Sequence, residues 1–329
     1  MKRFLPQLSL LVVAGMVIAS CATNPYAATN RSYKKQARAY AKNLRTIPPA
    51  ATAGATYQQG DYWVGTTNFN MRKPNFVVIH HTAQDSTGQT LRTFTLPRTQ
   101  VSAHYVIGRD GKVYHMLNDN LRAWHGGSGS WGNNNDLNSS SIGIELDNNG
   151  FEPFSDEQIT SLLLVLARLK KDYHIPAANF IGHSDIAPTR KNDPNRTFPW
   201  KKLADNGFGL WYDAGLLDST VTPNAAGYAD STLALNITLV PDSTAVQTII
   251  SVQDSVFIHT NAVQDKAHVQ VRIQDPIAPR EALRIIGYDT KDMKAAIKAF
   301  KLHFIQTDIS DTLTETDKKV LFNLYKKYL

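Results

Sequence analysis

Residues 75–80 read Asn-Phe-Val-Val-Ile-His, an apolar run with no polar alternation. Such a run fits a strand buried on both faces, and a strand of that kind needs covering layers on both sides. The segments that follow supply the rest of a layered domain. Residues 103–117 predict a hairpin that turns at Asp110-Gly111. Residues 141–146, Ser-Ile-Gly-Ile-Glu-Leu, predict another short strand. Asp156 to Tyr173 carries Ile159, Leu162, Leu163, Val165, Leu166 and Leu169 mostly on one stripe, with Ser155 as N-cap, and predicts a helix. Strands interleaved with a hairpin and helices put the chain in the α/β class. The expectation is a mixed β-sheet covered by helices, over residues 60–215.

The flanks differ in character. Residues 1–20 hold Lys2 and Arg3, then an apolar run, then small residues before Cys21. They read as an export signal, too short for a stable membrane span. Ile18-Ala19-Ser20-Cys21 has the form of a lipobox, which makes Cys21 a lipidation site and a membrane anchor. Cys21 is the only cysteine, so no internal disulfide can form. Residues 21–59 read as a tether with a short helix across Tyr33–Leu44. Residues 216–278 read as a linker and a small β-rich segment. Its period-two runs lie within 231–275, and His259 and His268 are half-buried strand positions there. Residues 279–329 predict three short amphipathic helices packed as a bundle, the last opened by a Thr314/Asp317 capping box. Met293, Ile297, Phe300 and Phe304 share the face that packs inward. The net charge is +7 with 42% hydrophobic residues, but no basic cluster or aromatic-interleaved stripe stands out, which argues against nucleic acid as a partner. A mildly basic surface suits work on an anionic polymer or near anionic lipid. No protein partner is indicated.

Seven of the ten histidines fall between residues 80 and 183. His174 ends the predicted helix, where a cation complements the helix dipole, and His115 reads as structural. Residues 182–200 hold His183, Lys191 and Asp193 in a stretch whose Pro188, Pro194 and Pro199 forbid a continuous helix. His80 and His81 end the buried strand and point to opposite faces. One of them with His183 and Asp193 would make a set of two imidazoles and one carboxylate with an open fourth position, which favours catalytic Zn2+. The pattern does not say which of the pair is used. Glu145 stands in an otherwise apolar strand, where a carboxylate is costly to bury without a task or a partner. His104 starts a hairpin strand and reads as a cleft group or as a satisfied core histidine. Trp124-His125-Gly126-Gly127 suits the lining of a sugar-peptide groove.

Five motifs in order carry a family resemblance: residues 77–83 (VVIHHTA), 102–111 (SAHYVIGRDG), 122–127 (RAWHGG), 141–146 (SIGIEL) and 182–194 (GHSDIAPTRKNDP). Together they resemble the type-2 N-acetylmuramoyl-L-alanine amidases, zinc enzymes related to the peptidoglycan recognition proteins. The resemblance is dense over residues 65–213 and loose over 279–329. With the lipobox it points to the outer-membrane lipoprotein members. It implies one Zn2+ per chain held by His80, His183 and Asp193, with His81 facing away and packing. It also implies Glu145 as general base, Lys191 as oxyanion stabiliser, and His104, Trp124 and His125 as substrate contacts. The implied substrate is the amide between N-acetylmuramic acid and L-Ala of peptidoglycan stem peptides. The implied setting is wall turnover or recycling on the periplasmic side of the outer membrane. No other cofactor is implied. Asp136 stands where relatives often carry an arginine for a stem carboxylate, so that recognition is weaker here or comes from elsewhere, as from Arg122 or Arg190. The last helices resemble peptidoglycan-binding modules, with exposed residues expected at Gly287-Tyr288-Asp289 and at the lysines of the second helix. Two rival readings stand beside this one: a non-catalytic wall-binding protein on the same fold, which loss of a zinc ligand or of Glu145 would mark although all four residues are present, and a zinc peptidase for another stem-peptide bond, which the motifs do not exclude.

Overall fold

The computed structural model describes residues 24–45, 66, 68, 70–217 and 277–329. The signal segment, Cys21, most of the tether and the 231–275 runs with His259 and His268 lie outside the described residues. Residues 1–69 form a unit of their own. Its helix α1 (Ala27–Leu44) buries none of its side chains. The helix begins earlier than expected because Ala27 and Ala28 extend it, just after the Asn24 side chain accepts a hydrogen bond from Tyr26 N–H at 2.9 Å.

Residues 70–329 form the second unit. In chain order it contains β1 (Phe76–His81), α2 (Thr87–Thr95), β2 (Tyr105–Ile107), β3 (Val113–His115), α3 (Leu137–Ser140) and β4 (Ser141–Leu146). There follow α4 (Asp156–Tyr173), β5 (Phe180–Gly182), α5 (His183–Ile186), α6 (Trp200–Asp205), α7 (Pro279–Ile286), α8 (Met293–Phe304) and α9 (Glu315–Tyr325). The five strands make one mixed sheet in the order β3-β2-β4-β1-β5, parallel except for the β2–β3 hairpin.

The unbroken apolar run of β1 is explained by a layer on each side. Val77 and Ile79 join Ile142, Ile144 and the α4 stripe of Ile159, Leu162, Leu166 and Leu169 in one core. Val78 points the other way and, with Ile181, packs against Ala282, Leu283, Phe300 and Leu321 of the C-terminal helices. α4 starts at Ser155, whose hydroxyl accepts from Gln158 N–H at 3.1 Å, and ends at His174, φ 59°.

Ile297, Phe300 and Phe304 are buried and Met293 is half-buried, as their spacing predicts. The Thr314/Asp317 capping box forms, with bonds of 3.1 and 2.9 Å. Two expectations for this segment are corrected. Tyr288 is not at a free surface: it is 2% exposed and donates to Asp185 of α5 at 2.8 Å. Of the α8 lysines, Lys301 is wholly buried, paired with Asp308 and with Asp317 at 2.9 Å, because it ties the α8–α9 connection to the core.

Candidate active site

The parallel strands β1, β4 and β5 all end on one edge, where open α/β sheets commonly bind ligands. His80 is one residue from the end of β1 and stands in register with Glu145 on β4. His183 follows β5 directly, and the loop after α5 returns Asp193 to the same place, helped by a 2.8 Å bond from Ser184 N–H to the Asp193 carbonyl. His80 Nδ1 lies 2.9 Å from His183 Nδ1 and 3.1 Å from Asp193 Oδ2, and His183 Nδ1 is 3.1 Å from the same oxygen. All three residues are buried. A tetrahedral zinc with bonds of 2.0–2.1 Å places its ligand atoms about 3.3 Å apart, close to this spacing.

Three lone-pair donors facing one another at this range call for a cation between them. Glu145 Oε1 stands 3.9 Å from His80 Nδ1, and its Oε2 is buried with no hydrogen-bond partner. That orphaned oxygen beside the convergent donors has the place of a group awaiting a ligand. The residues therefore fit a Zn2+ ion.

The far nitrogens of both ligands are engaged. His183 Nε2–H donates to the Gly126 carbonyl at 3.2 Å. His80 Nε2–H donates to His125 Nδ1 at 3.1 Å, and His125 Nε2–H donates to Ser141 Oγ at 3.1 Å. The Ser141 hydroxyl donates onward to the Leu137 carbonyl. This chain sets the tautomer that leaves His80 Nδ1 free to ligate.

Residues 70–196 match the family model described as N-acetylmuramoyl-L-alanine amidase. This segment is similar to that amidase family. AmiD of Escherichia coli strain K12 is 38% identical over 154 residues, covering 42% of this chain and 55% of that protein. AmpD of Haemophilus influenzae is 38% identical over 104 residues, covering 31% of this chain and 56% of that protein. The chain thus spans about half the length of the curated relatives it matches. The solved structure of E. coli AmiD with the substrate anhydro-N-acetylmuramic acid-L-Ala-D-gamma-Glu-L-Lys overlays with a TM-score of 0.56 at 26% identity, over 84% of this chain and 97% of that one. AmpDh3 from Pseudomonas aeruginosa shares the fold, with a TM-score of 0.56 at 23% identity.

Within the site the charges follow burial and neighbours. Burial, and then the adjacent His183, push His80 down to about 4, so it stays neutral and able to ligate. Burial alone would raise Asp193, but the adjacent His183 and His80 imidazoles hold it below the usual carboxylate range. Burial, then the charge of Asp193, pushes Glu145 up to about 8, while Lys191 acts in the opposite sense. Lys191 itself is exposed and reaches the site through its field.

Three substrate-contact expectations meet the structure differently. Trp124 is 53% exposed and free to line a groove. The cleft reading of His104 is corrected: it is fully buried, accepts from Gly143 N–H at 3.0 Å, and donates to the Leu121 carbonyl at 3.0 Å. The groove reading of His125 is also corrected, because both ring nitrogens are spent behind His80 and the residue is buried. His81 packs away from the donors, accepting from Asn195 N–H at 3.0 Å. Of the two arginines considered for a carboxylate, Arg122 is paired with Asp136 at 3.0 Å, and Arg190 donates to the Gly126 and Ser128 carbonyls.

Sequence reasoning missed Asn138 and Ser141. The Asn138 side chain accepts from His125 N–H and Gly126 N–H at 3.0 and 2.8 Å, holding the turn that presents His125. Buried polar residues beside the SIGIE motif were the available signal.

Proposed function

We propose that the protein is a zinc-dependent N-acetylmuramoyl-L-alanine amidase that cuts the amide between N-acetylmuramic acid and L-Ala of peptidoglycan stem peptides. The observation that carries this reading is the convergence of His80, His183 and Asp193 beside the unpartnered Glu145 carboxylate. The sequence similarity to AmiD and AmpD supports the choice of bond. Zn2+ held by His80 Nδ1, His183 Nδ1 and Asp193 Oδ2 would supply Lewis-acid activation of water and of the scissile carbonyl. Glu145 takes a proton from the attacking water and delivers it to the leaving nitrogen of L-Ala. Its raised pKa keeps the carboxyl near working pH, where it can both accept and return a proton. The Lys191 ammonium opposes the negative charge that grows on the carbonyl oxygen. The C–N bond breaks, leaving a carboxylate on the lactyl group and a free amine on the peptide.

A stem of the AmiD-bound type has an α-carboxylate left free by the γ-linked Glu and a second one at its C-terminus. Wall turnover or recycling is the setting, with the chain exported by residues 1–20 and held on the periplasmic side of the outer membrane through acyl groups on Cys21. Mass spectrometry of digested muropeptides tests the reading. The expected products are free glycan and peptides beginning with L-Ala; cleavage inside the stem would make the protein a peptidase instead. His183→Ala should lose both bound zinc and turnover, whereas His81→Ala should keep the metal. Zinc retained by His183→Ala would overturn the ligand assignment.

A further inference from the structure

Beside the metal site, a cavity of about 500 Å³ opens between the 188–196 loop and α8. Its lining includes Arg190, Lys191, Arg196 and Lys298, and no acidic side chain. Cations elsewhere in the unit are commonly matched: Arg109 with Glu152 at 2.6 Å, Arg168 with Asp119 at 3.1 Å, Lys201 with Asp205 at 2.7 Å. Here none of the four has a carboxylate partner among the described residues. Arg190 and Arg196 donate only to backbone carbonyls, Arg196 to Thr307 at 3.0 Å, which fixes their guanidinium groups without neutralising them. Lys191 and Lys298 are exposed, and their side chains show no hydrogen bond or ion pair among the described residues. Four unneutralised cations around one concavity repel one another, and an anion bound there relieves that repulsion.

The cavity joins two parts of the chain. Lys191 lies two residues from Asp193, close enough for its field to act on His80 and Glu145. Lys298 comes from α8, with the apolar Leu302 one turn further along. A tripeptide in extended form spans roughly 10 Å. A cavity of this volume is of the size that small ligands occupy.

We propose that this cavity is a carboxylate-binding subsite, built jointly by the 188–196 loop and α8, that receives the anionic stem peptide of the substrate. Lys298 and Arg196 then set specificity for a stem with free carboxylates. The proposal rests on the amidase reading for the identity of the ligand. It gives the C-terminal helices a part in substrate selection close to the metal.

The test uses the full chain with zinc and two substrates: a muramoyl-L-Ala-D-γ-Glu-L-Lys muropeptide and the same compound with both carboxylates converted to carboxamides. Lys298→Ala should raise KM for the carboxylate substrate roughly three- to tenfold with kcat held, and leave KM for the carboxamide unchanged. Arg196→Ala should act in the same direction, and Lys298→Glu more strongly. Equal KM changes for both substrates, or no change for either, would overturn the subsite. Calorimetric titration with the free tripeptide L-Ala-D-γ-Glu-L-Lys separates the two readings. Tripeptide binding that depends on Lys298, without release of peptide from the muropeptide, keeps the subsite and sinks the amidase. Turnover with tripeptide binding indifferent to Lys298 keeps the amidase and sinks the subsite.

Discussion

At Gly143 the sheet has no room for a side chain, since a Cβ there would stand 2.3 Å from the Cγ of His125. A glycine inside a strand weakens it, and here the close approach of an imidazole accounts for it. That imidazole is the partner of His80 Nε2, so Gly143→Ala should displace His125 and release the His80 ring. The expected result is a 10- to 100-fold weaker zinc affinity by chelator competition, the range for loss of a group that orients a ligand. Unchanged affinity would show that His125 is not needed to hold His80. Glu145 supports a prediction with a sign. In the metal-free protein its carboxyl is raised from the usual 4.5 to about 8. Between these values the folded state keeps a proton that the unfolded chain has released, so stability falls as pH rises through that window. Chelated Glu145→Gln should escape the loss and be more stable than the chelated parent at pH 8, by about 1–3 kcal/mol. Chemical denaturation at pH 5 and pH 8 checks this, and equal pH dependence in both proteins would refute it. The sequence exposed Glu145 because a carboxylate in an apolar strand is costly, and His183 and Asp193 because a proline-stiffened loop spaces them with Lys191. It left the choice between His80 and His81 open, because strand alternation says that they face apart and not which way the site lies. It could not reveal that His125 backs a ligand, since that depends on a crossing from a distant loop.

At the scale of elements, strands and helices were legible wherever a local pattern sets them. The run of β1, the Asp110-Gly111 hairpin and the caps of α4 and α9 formed within a residue or two of expectation. Burial by neighbours distant in sequence was not legible. Lys301 looks like one more solvent-facing lysine, yet α8 turns it into the unit's interior. There its ammonium meets Asp308, Asp317, Ser310 Oγ and the Thr312 carbonyl. Burial alone would lower its pKa, but these partners raise it. Lys301→Ala would leave Asp317, 3% exposed, without its counter-charge. Breaking a buried pair in this way costs about 3–5 kcal/mol, and denaturant titration should show a loss of that size. A loss below about 1 kcal/mol would mean that water reaches Asp317 in place of the ammonium.

For the whole molecule, the question is whether residues 279–329 are a separate wall-binding module or part of the catalytic unit. The packing favours the second answer. The C-terminal helices lie on the sheet face that carries Val78, and Trp131, Ile181 and Ile186 from the sheet domain share their core. The tie is polar as well. Asp185, fully buried, accepts from Tyr288 at 2.8 Å and pairs with His303 Nδ1 at 2.7 Å, while His303 stacks on Trp200 at 3.8 Å. Asp185 lies in α5, the turn that begins with the candidate ligand His183. Ending the chain at residue 217 would remove both of those partners and uncover several large apolar side chains, each worth about 1.5–3 kcal/mol when buried. The truncated protein should therefore melt well below the full chain, bind zinc more weakly and lose turnover even on small soluble muropeptides. A truncated protein that keeps its Tm and cuts soluble muropeptides at the full rate, but sediments less with sacculi, would instead establish the helices as an independent anchor to the wall.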